Sequence, residues 1–292
     1  MNDRVCLVTG ATSGIGHAAA RALVREKLTL VIHGRNAERL ESARAALRGA
    51  GPADVQTIRA DFASLDEVRE MAVEFRQRFN RLDILFNNAG LLTDERRTGI
   101  DGFELTFTVN HLAPMLLTWS LLPLLRNAAP ARILFNSSSA LGDARLDIDD
   151  LQGERWHSGW SAYANTKLAN MLMSSLLAER LAGDGIVCNS FCPGLIDTRL
   201  LKDNREFSPR MLEHIKKRVR TPEDGALTAV YLATAPEAAK ISGAFFLKSQ
   251  GAGRQPVHIH WDRDLAVRLR EETARILKPW LGDQAGSAAD SA

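Results

Sequence analysis

Short runs such as Cys6-Leu7-Val8-Thr9, Thr29-Leu30-Val31-Ile32 and Asp83-Ile84-Leu85-Phe86 are apolar at almost every position, with helix-length stretches between them. A strand with one wet face alternates apolar and polar residues; a strand without that alternation is buried on both faces. This pattern predicts strands at 5–9, 28–33, 55–60, 82–87, 131–137, 185–192 and 243–247. Helices are predicted at 15–26, 37–49, 64–79, 101–126, 159–182 and 222–234. Right-handed strand–helix–strand crossovers convert this order into a doubly wound, mostly parallel α/β sheet of about seven strands, with helices on both faces.

No Pro-, Gly- or Ser-rich linker and no internal repeat divides the 292 residues. The expectation is a single nucleotide-binding domain over 1–250, with a substrate lid within 195–220. A C-terminal extension over 251–281 carries one amphipathic helix, and a small, polar tail over 282–292 is expected to be disordered. A net charge of +2 gives no nucleic-acid signature. Cys6, Cys188 and Cys192 lack metal or disulfide spacing and read as reduced thiols packed in strands, which suits a cytoplasmic protein. The longest apolar run, 112–125, is 14 residues with two prolines, short of the ~20 a membrane helix needs. His258 and His260 have no third ligand nearby, so no metal site is expected.

Thr9-Gly10-Ala11-Thr12-Ser13-Gly14-Ile15-Gly16 sits between the first predicted strand and the first helix. Glycines there permit a tight turn and let backbone approach a pyrophosphate, while the helix N-terminus favours the anion. At the end of the second strand, Val31-Ile32-His33-Gly34-Arg35-Asn36 lacks the carboxylate that would bond a ribose 2′-hydroxyl. Arg35 is placed to pair with a 2′-phosphate, and Ser13 and Asn36 to add hydrogen bonds, which points to NADP(H). The plainer alternative makes Arg35 a solvated side chain and Asn36 an N-cap.

The glycine spacing resembles the single-domain branch of the short-chain dehydrogenases and reductases. Further marks follow in register: Asp61-Phe62, Asn87-Asn88-Ala89-Gly90, Asn110, Tyr163-x-x-x-Lys167, and Pro193-Gly194 running to Thr198. The resemblance covers about residues 4–248 and implies Asp61 at adenine, Asn87 beside the adenosine ribose, Thr198 at the nicotinamide amide and Lys167 on the nicotinamide ribose. Gly10, Thr12, Ser13, Gly14, Ile15, Gly16, Arg35, Asn36, Phe62, Ala89, Gly90, Pro193 and Gly194 complete the candidate cofactor set, with Tyr163 and Lys167.

Tyr163 and Lys167 are four apart and share one helix face. A phenol with pKa near ~10 is a poor acid–base group at neutral pH, and a nearby ammonium favours its anion. Among the serines at 137–139, spacing from the tyrosine favours Ser138 as the hydroxyl on the substrate oxygen, as in retinol-dehydrogenase-like members. The stretch 143–167 is most similar to the retinol dehydrogenase and protochlorophyllide reductase-like group. That similarity implies carbonyl–alcohol interconversion on a bulky, largely apolar small molecule, with Trp156, Trp160, Leu195, Phe207 and Met211 as candidate substrate contacts beside Ser138 and Tyr163.

The resemblance also implies that the Asn110 main-chain oxygen holds a water beside the lysine. Pro114 has no N–H to offer that carbonyl four residues back, so the sequence predicts a kink with the carbonyl left free. Alternatively, residues near 112 start a new helical segment with Pro114 in its first turn. Two other functions fit the residues: a biosynthetic ketoreductase for polyketide or steroid-like intermediates, and a non-catalytic NADP(H)-sensing binding protein. A homodimer is compatible with either.

Overall fold

The computed structural model describes residues 4–196, 219–247 and 255–281. One sheet holds eight strands: β1 Val5–Val8, β2 Thr29–Gly34, β3 Asp54–Arg59, β4 Ile84–Asn87, β5 Ala131–Asn136, β6 Ile186–Cys192, β7 Phe245–Leu247 and β8 Pro256–Val257. Their spatial order is β3-β2-β1-β4-β5-β6-β7-β8, and every pairing is parallel except that of β7 with β8. The order reverses between β1 and β4, the place where an open α/β sheet leaves a crevice beyond its strand ends. Seven strands match the sequence expectation. β8 does not, because two residues carry no periodicity to read.

The helices are α1 Gly14–Leu23, α2 Ala37–Leu47, α3 Leu65–Arg78, α4 Leu105–Phe107, α5 Ala113–Ala128, α6 Gly159–Arg180, α7 Pro222–Thr234 and α8 Arg263–Leu277. Polar side chains start several of them: Asn36, Ser64, Ser158, Thr221 and Asp262 each accept from a backbone N–H in the first turn. One core lies between the sheet and α3, α5, α6 and α8, and the other between the sheet and α1, α2 and α7. Both sides of β1 and β4 are therefore covered, as their unbroken apolar runs require.

The helix expected over 101–126 is not continuous. Between α4 and α5 lies a π-helical turn, Thr108–Leu112, in which the Ala113 N–H donates to the Thr108 carbonyl. Such a turn inserts one residue into the α ladder. It lets Pro114 occupy the first turn of α5, where a missing N–H breaks no bond. Cys6, Cys188 and Cys192 are free thiols buried in β1 and β6.

Candidate active site

The glycine-rich turn is fixed by polar side chains that follow β4. The Asn88 Nδ2 donates to the Thr9 carbonyl at 2.8 Å, and the Thr9 hydroxyl accepts from the N–H groups of Asn88 and Ala89 at 2.9 and 3.0 Å. The Asn88 Oδ1 accepts from Asn136 Nδ2 at 3.0 Å, so the ends of β1, β4 and β5 form one bonded rim. Gly10 has φ +66°, and a Cβ there would come within 2.9 Å of the Ala89 Cα. A Cβ on Gly16 would collide with Asn88 Nδ2 and the Gly10 carbonyl. Gly16 thus keeps α1 against the turn rather than lining the crevice.

Sequence reasoning missed His33. Its Nδ1 accepts from the Gly10 N–H at 3.2 Å, which leaves Nε2 protonated to donate to the Ala60 carbonyl at 3.0 Å. The ring stacks on Phe62 at 4.4 Å between centroids, and burial lowers its pKa from 6.5 to about 4. A neutral imidazole therefore joins the glycine turn to the end of β3. The only available signal was a lone histidine ending a strand.

These residues border a groove of about 770 Å³ along the carboxyl ends of the strands. One end is lined by Thr12, Ser13, Arg35, Arg39 and Asp61, the other by Ser138, Asp143, Trp160, Tyr163 and Lys167. Gly14, Ile15, Phe62, Ala89, Gly90, Pro193, Gly194 and Leu195 line the space between or beside them. Gly34 carries no side chain for a reason: a Cβ there would meet the Thr12 methyl group. The Asn36 side chain caps α2, accepting from the Arg39 N–H at 2.8 Å, so its oxygen is engaged within the protein. Ser13, extended at the N-cap of α1, makes no capping bond with its hydroxyl. Asp61 keeps one oxygen on the Ala63 N–H and presents the rest of its carboxylate to the groove.

The side chains of two expected site residues lie outside the groove. Asn87, expected at the ribose, is buried with Nδ2 donating to the Thr118 hydroxyl at 3.0 Å, facing α5. As the last residue of β4 it points away from the crevice, and Asn88, just beyond the strand, turns toward it. Trp156 is 66% exposed and lines a separate cavity of about 300 Å³ with Glu104, Phe107, Asp150 and His157. The segment before α6 folds outward there, so only Trp160 reaches the groove. Thr198, Phe207 and Met211 lie outside the described residues, as do most of the expected lid and the tail.

At the far end, Tyr163 and Lys167 project from one face of α6. Ser138 stands beside the Tyr163 phenol at this end of the groove, and the Trp160 ring lies 5.8 Å from the Tyr163 ring. Ser138 Oγ accepts from the Ala140 N–H at 3.1 Å, which holds the hydroxyl in place. Ser137 instead donates to the Lys167 carbonyl at 2.7 Å from the opposite side of the chain, and the Ser139 N–H donates to Cys192 Sγ at 3.1 Å. Lys167 Nζ donates to the Asn136 carbonyl at 3.0 Å and lies 5.2 Å from the centre of the Tyr163 ring.

Burial dominates the electrostatics of this pair. It raises the Tyr163 phenol well above its usual 10 and lowers Lys167 from 10.5 to about 8. The sequence expectation of a phenolate favoured by a neighbouring ammonium is not met in this state. Both groups have lost water, and each is driven toward its neutral form. What the arrangement supplies is a protonated phenol next to a serine hydroxyl, beside an amine whose pKa is lowered to about 8.

Asn110 stands one layer behind. Its Oδ1 accepts from the Leu91 N–H and its Nδ2 donates to the Leu91 carbonyl, both at 2.8 Å, with a further bond to the Thr166 hydroxyl at 3.1 Å. Its main-chain oxygen is not left free, as the Pro114 argument expected: Asn170 Nδ2 donates to it at 2.9 Å. A carbonyl has a second lone pair, but one acceptor position is already taken by α6.

The groove fits a dinucleotide. Gly10 lets the turn approach closely, and a Cβ on Gly90 would come within 3.6 Å of Lys167 Nζ, filling the space before the amine. A profile of the short chain dehydrogenase family matches residues 4–209. Retinol dehydrogenase 14 of Mus musculus is 36% identical over 262 residues, covering 84% of this chain and 78% of the relative. A polyprenol dehydrogenase of Danio rerio is 35% identical over 287 residues, covering 94% and 87%. The Pseudomonas aeruginosa RhlG/NADP active-site complex superposes with a TM-score of 0.70 at 28% identity, covering 87% and 97%.

Proposed function

Because the chain belongs to the short-chain dehydrogenase family, we propose that it is an NADP(H)-dependent oxidoreductase that interconverts a carbonyl and an alcohol on a bulky, largely apolar small molecule. The observation that carries this reading is the convergence of Ser138, Tyr163 and Lys167 at one end of a groove that fits a dinucleotide. Bound there, the cofactor supplies or accepts the hydride. Ser138 holds the substrate oxygen, and the Tyr163 hydroxyl gives that oxygen its proton as the alcohol forms. In the oxidative direction Tyr163 takes the proton back. Lys167 holds the cofactor's ribose and, when protonated, favours the phenolate that each reductive turnover leaves behind.

Preference for NADP(H) rests on Gly34 and the two guanidinium groups at that end of the groove, Arg35 and Arg39. Substrate size and apolarity rest on Leu91, Val109, Leu195, Ile196 and Trp160 among the groove's walls. Named activities of two relatives, on retinol and on polyprenol, agree with that character. No helix among the described residues is long and apolar enough to cross a membrane.

The test is NADPH oxidation across a panel of lipophilic aldehydes and ketones, with Tyr163→Phe as control. The variant is expected to bind NADPH normally and to lose ~10²–10⁴-fold in rate, the contribution of a positioned general acid. Turnover by Tyr163→Phe near the wild-type rate, or none by the wild type across the panel, overturns the reading.

A further inference from the structure

Thr273 lies on α8, beyond the 4–209 stretch matched by the family profile, yet it is completely buried and hydrogen-bonded to His111 in the π-helical turn. The distance is 2.9 Å, from the Thr273 hydroxyl to His111 Nε2. On its other side, His111 Nδ1 faces Asn170 Oδ1 at 3.4 Å. Asn170 Nδ2 already donates to the Asn110 carbonyl, so its Oδ1 is an acceptor and His111 Nδ1 must be the donor. That tautomer leaves Nε2 to accept from Thr273. The ring is stacked on Phe107 at 5.1 Å, and burial lowers its pKa from 6.5 to about 4.

The bonds run in one direction: Thr273 to His111, His111 to Asn170, Asn170 to the Asn110 carbonyl. From Asn110 two branches reach the groove. One is the double bond pair with Leu91, a groove wall; the other runs through the Thr166 hydroxyl to the Tyr163 carbonyl at 2.7 Å. A π turn interrupts the regular α ladder, and this one is bonded to partners outside its own helix. Here α6 and α8 supply them.

We propose that Thr273 and His111 are positioning residues for the active site: through Asn170 they fix Asn110, and through Asn110 the Leu91 wall and the Tyr163 turn of α6. The kinetic part of this rests on the reading under Proposed function. The structural part does not.

Two variants test it. Thr273→Val keeps the shape and removes the hydroxyl, while Thr273→Ser returns it. The first readout is hydrogen exchange at the Leu91 amide, which needs no substrate. Thr273→Val is expected to speed that exchange about tenfold, the equivalent of one hydrogen bond, and Thr273→Ser to restore the wild-type rate. With a carbonyl substrate, kcat is expected to fall about tenfold in Thr273→Val with KM for NADPH unchanged, and to recover in Thr273→Ser. His111→Asn serves if Thr273→Val fails to fold. It retains a donor toward Asn170 but cannot span to Thr273, and the same changes are expected. Acceleration confined to α8, with Leu91 exchanging at its wild-type rate, overturns the proposal. So does a kcat that Thr273→Ser fails to restore. If no substrate is turned over, the assigned activity fails while Leu91 exchange still decides this inference.

Discussion

At the scale of single residues, the cofactor end of the groove depends on what is missing as much as on what is present. A side chain at position 34 would have to displace the Thr12 methyl group, so the turn and the end of β2 together disfavour a carboxylate there. That leaves Arg35 beside the groove with no acid next to it in the strand end. If Arg35 holds a 2′-phosphate, Arg35→Ala should weaken NADPH binding by about tenfold or more, a charge-assisted bond being worth roughly 1.5–3 kcal/mol. Binding of NADH should hardly change. Titrations by NADPH and NADH fluorescence give the comparison, and equal losses for both would reject the assignment. Residues that bond through backbone or by stacking were hard to read in advance. Tyr163, Lys167 and Ser138 stood out by spacing, whereas His33 and Asn88 act by capping carbonyls and N–H groups that only the fold brings near.

At the scale of elements, the rim joining β1, β4 and β5 matters because parallel strands do not otherwise fix the turns beyond their ends. Asn88 is the joint, with bonds to the Thr9 carbonyl and to Asn136. Asn88→Ala should cost about 1–3 kcal/mol of stability, the penalty for leaving buried partners unsatisfied. It should also weaken NADPH binding, since the glycine turn loses its tie. Urea denaturation with and without NADPH measures both effects, and a variant with unchanged midpoint and affinity would refute this role. Elements were legible in the sequence in proportion to their regularity. The first seven strands could be read from short apolar runs between helix-length stretches, but the π turn could not. Residues 106–122 are buried without interruption, so no polar face marks where the ladder shifts. Pro114 was the one visible sign, and it signalled an interruption without saying that Asn170 would cap the freed carbonyl.

At the scale of the whole molecule, two buried imidazoles make stability depend on pH. His33 and His111 both have their pKa lowered from 6.5 to about 4 by burial. Between those values the unfolded chain takes up protons that the folded chain refuses, so stability is complete above 6.5 and declines as pH falls toward 4. Each ring can contribute up to about 3 kcal/mol to that loss. Urea midpoints should therefore drop between pH 7.5 and pH 5, and the drop should shrink in a His33→Leu variant that still folds; a flat profile in the wild type would contradict the argument. The bond between His111 and Thr273 also joins residues 162 apart in sequence. During synthesis the π turn emerges long before its partner, and parallel strands and distant contacts close late. Until α8 has emerged, His111 lacks the hydroxyl that answers its Nε2 in the folded chain, so this tie between α8 and the π turn can close only after synthesis has passed Thr273.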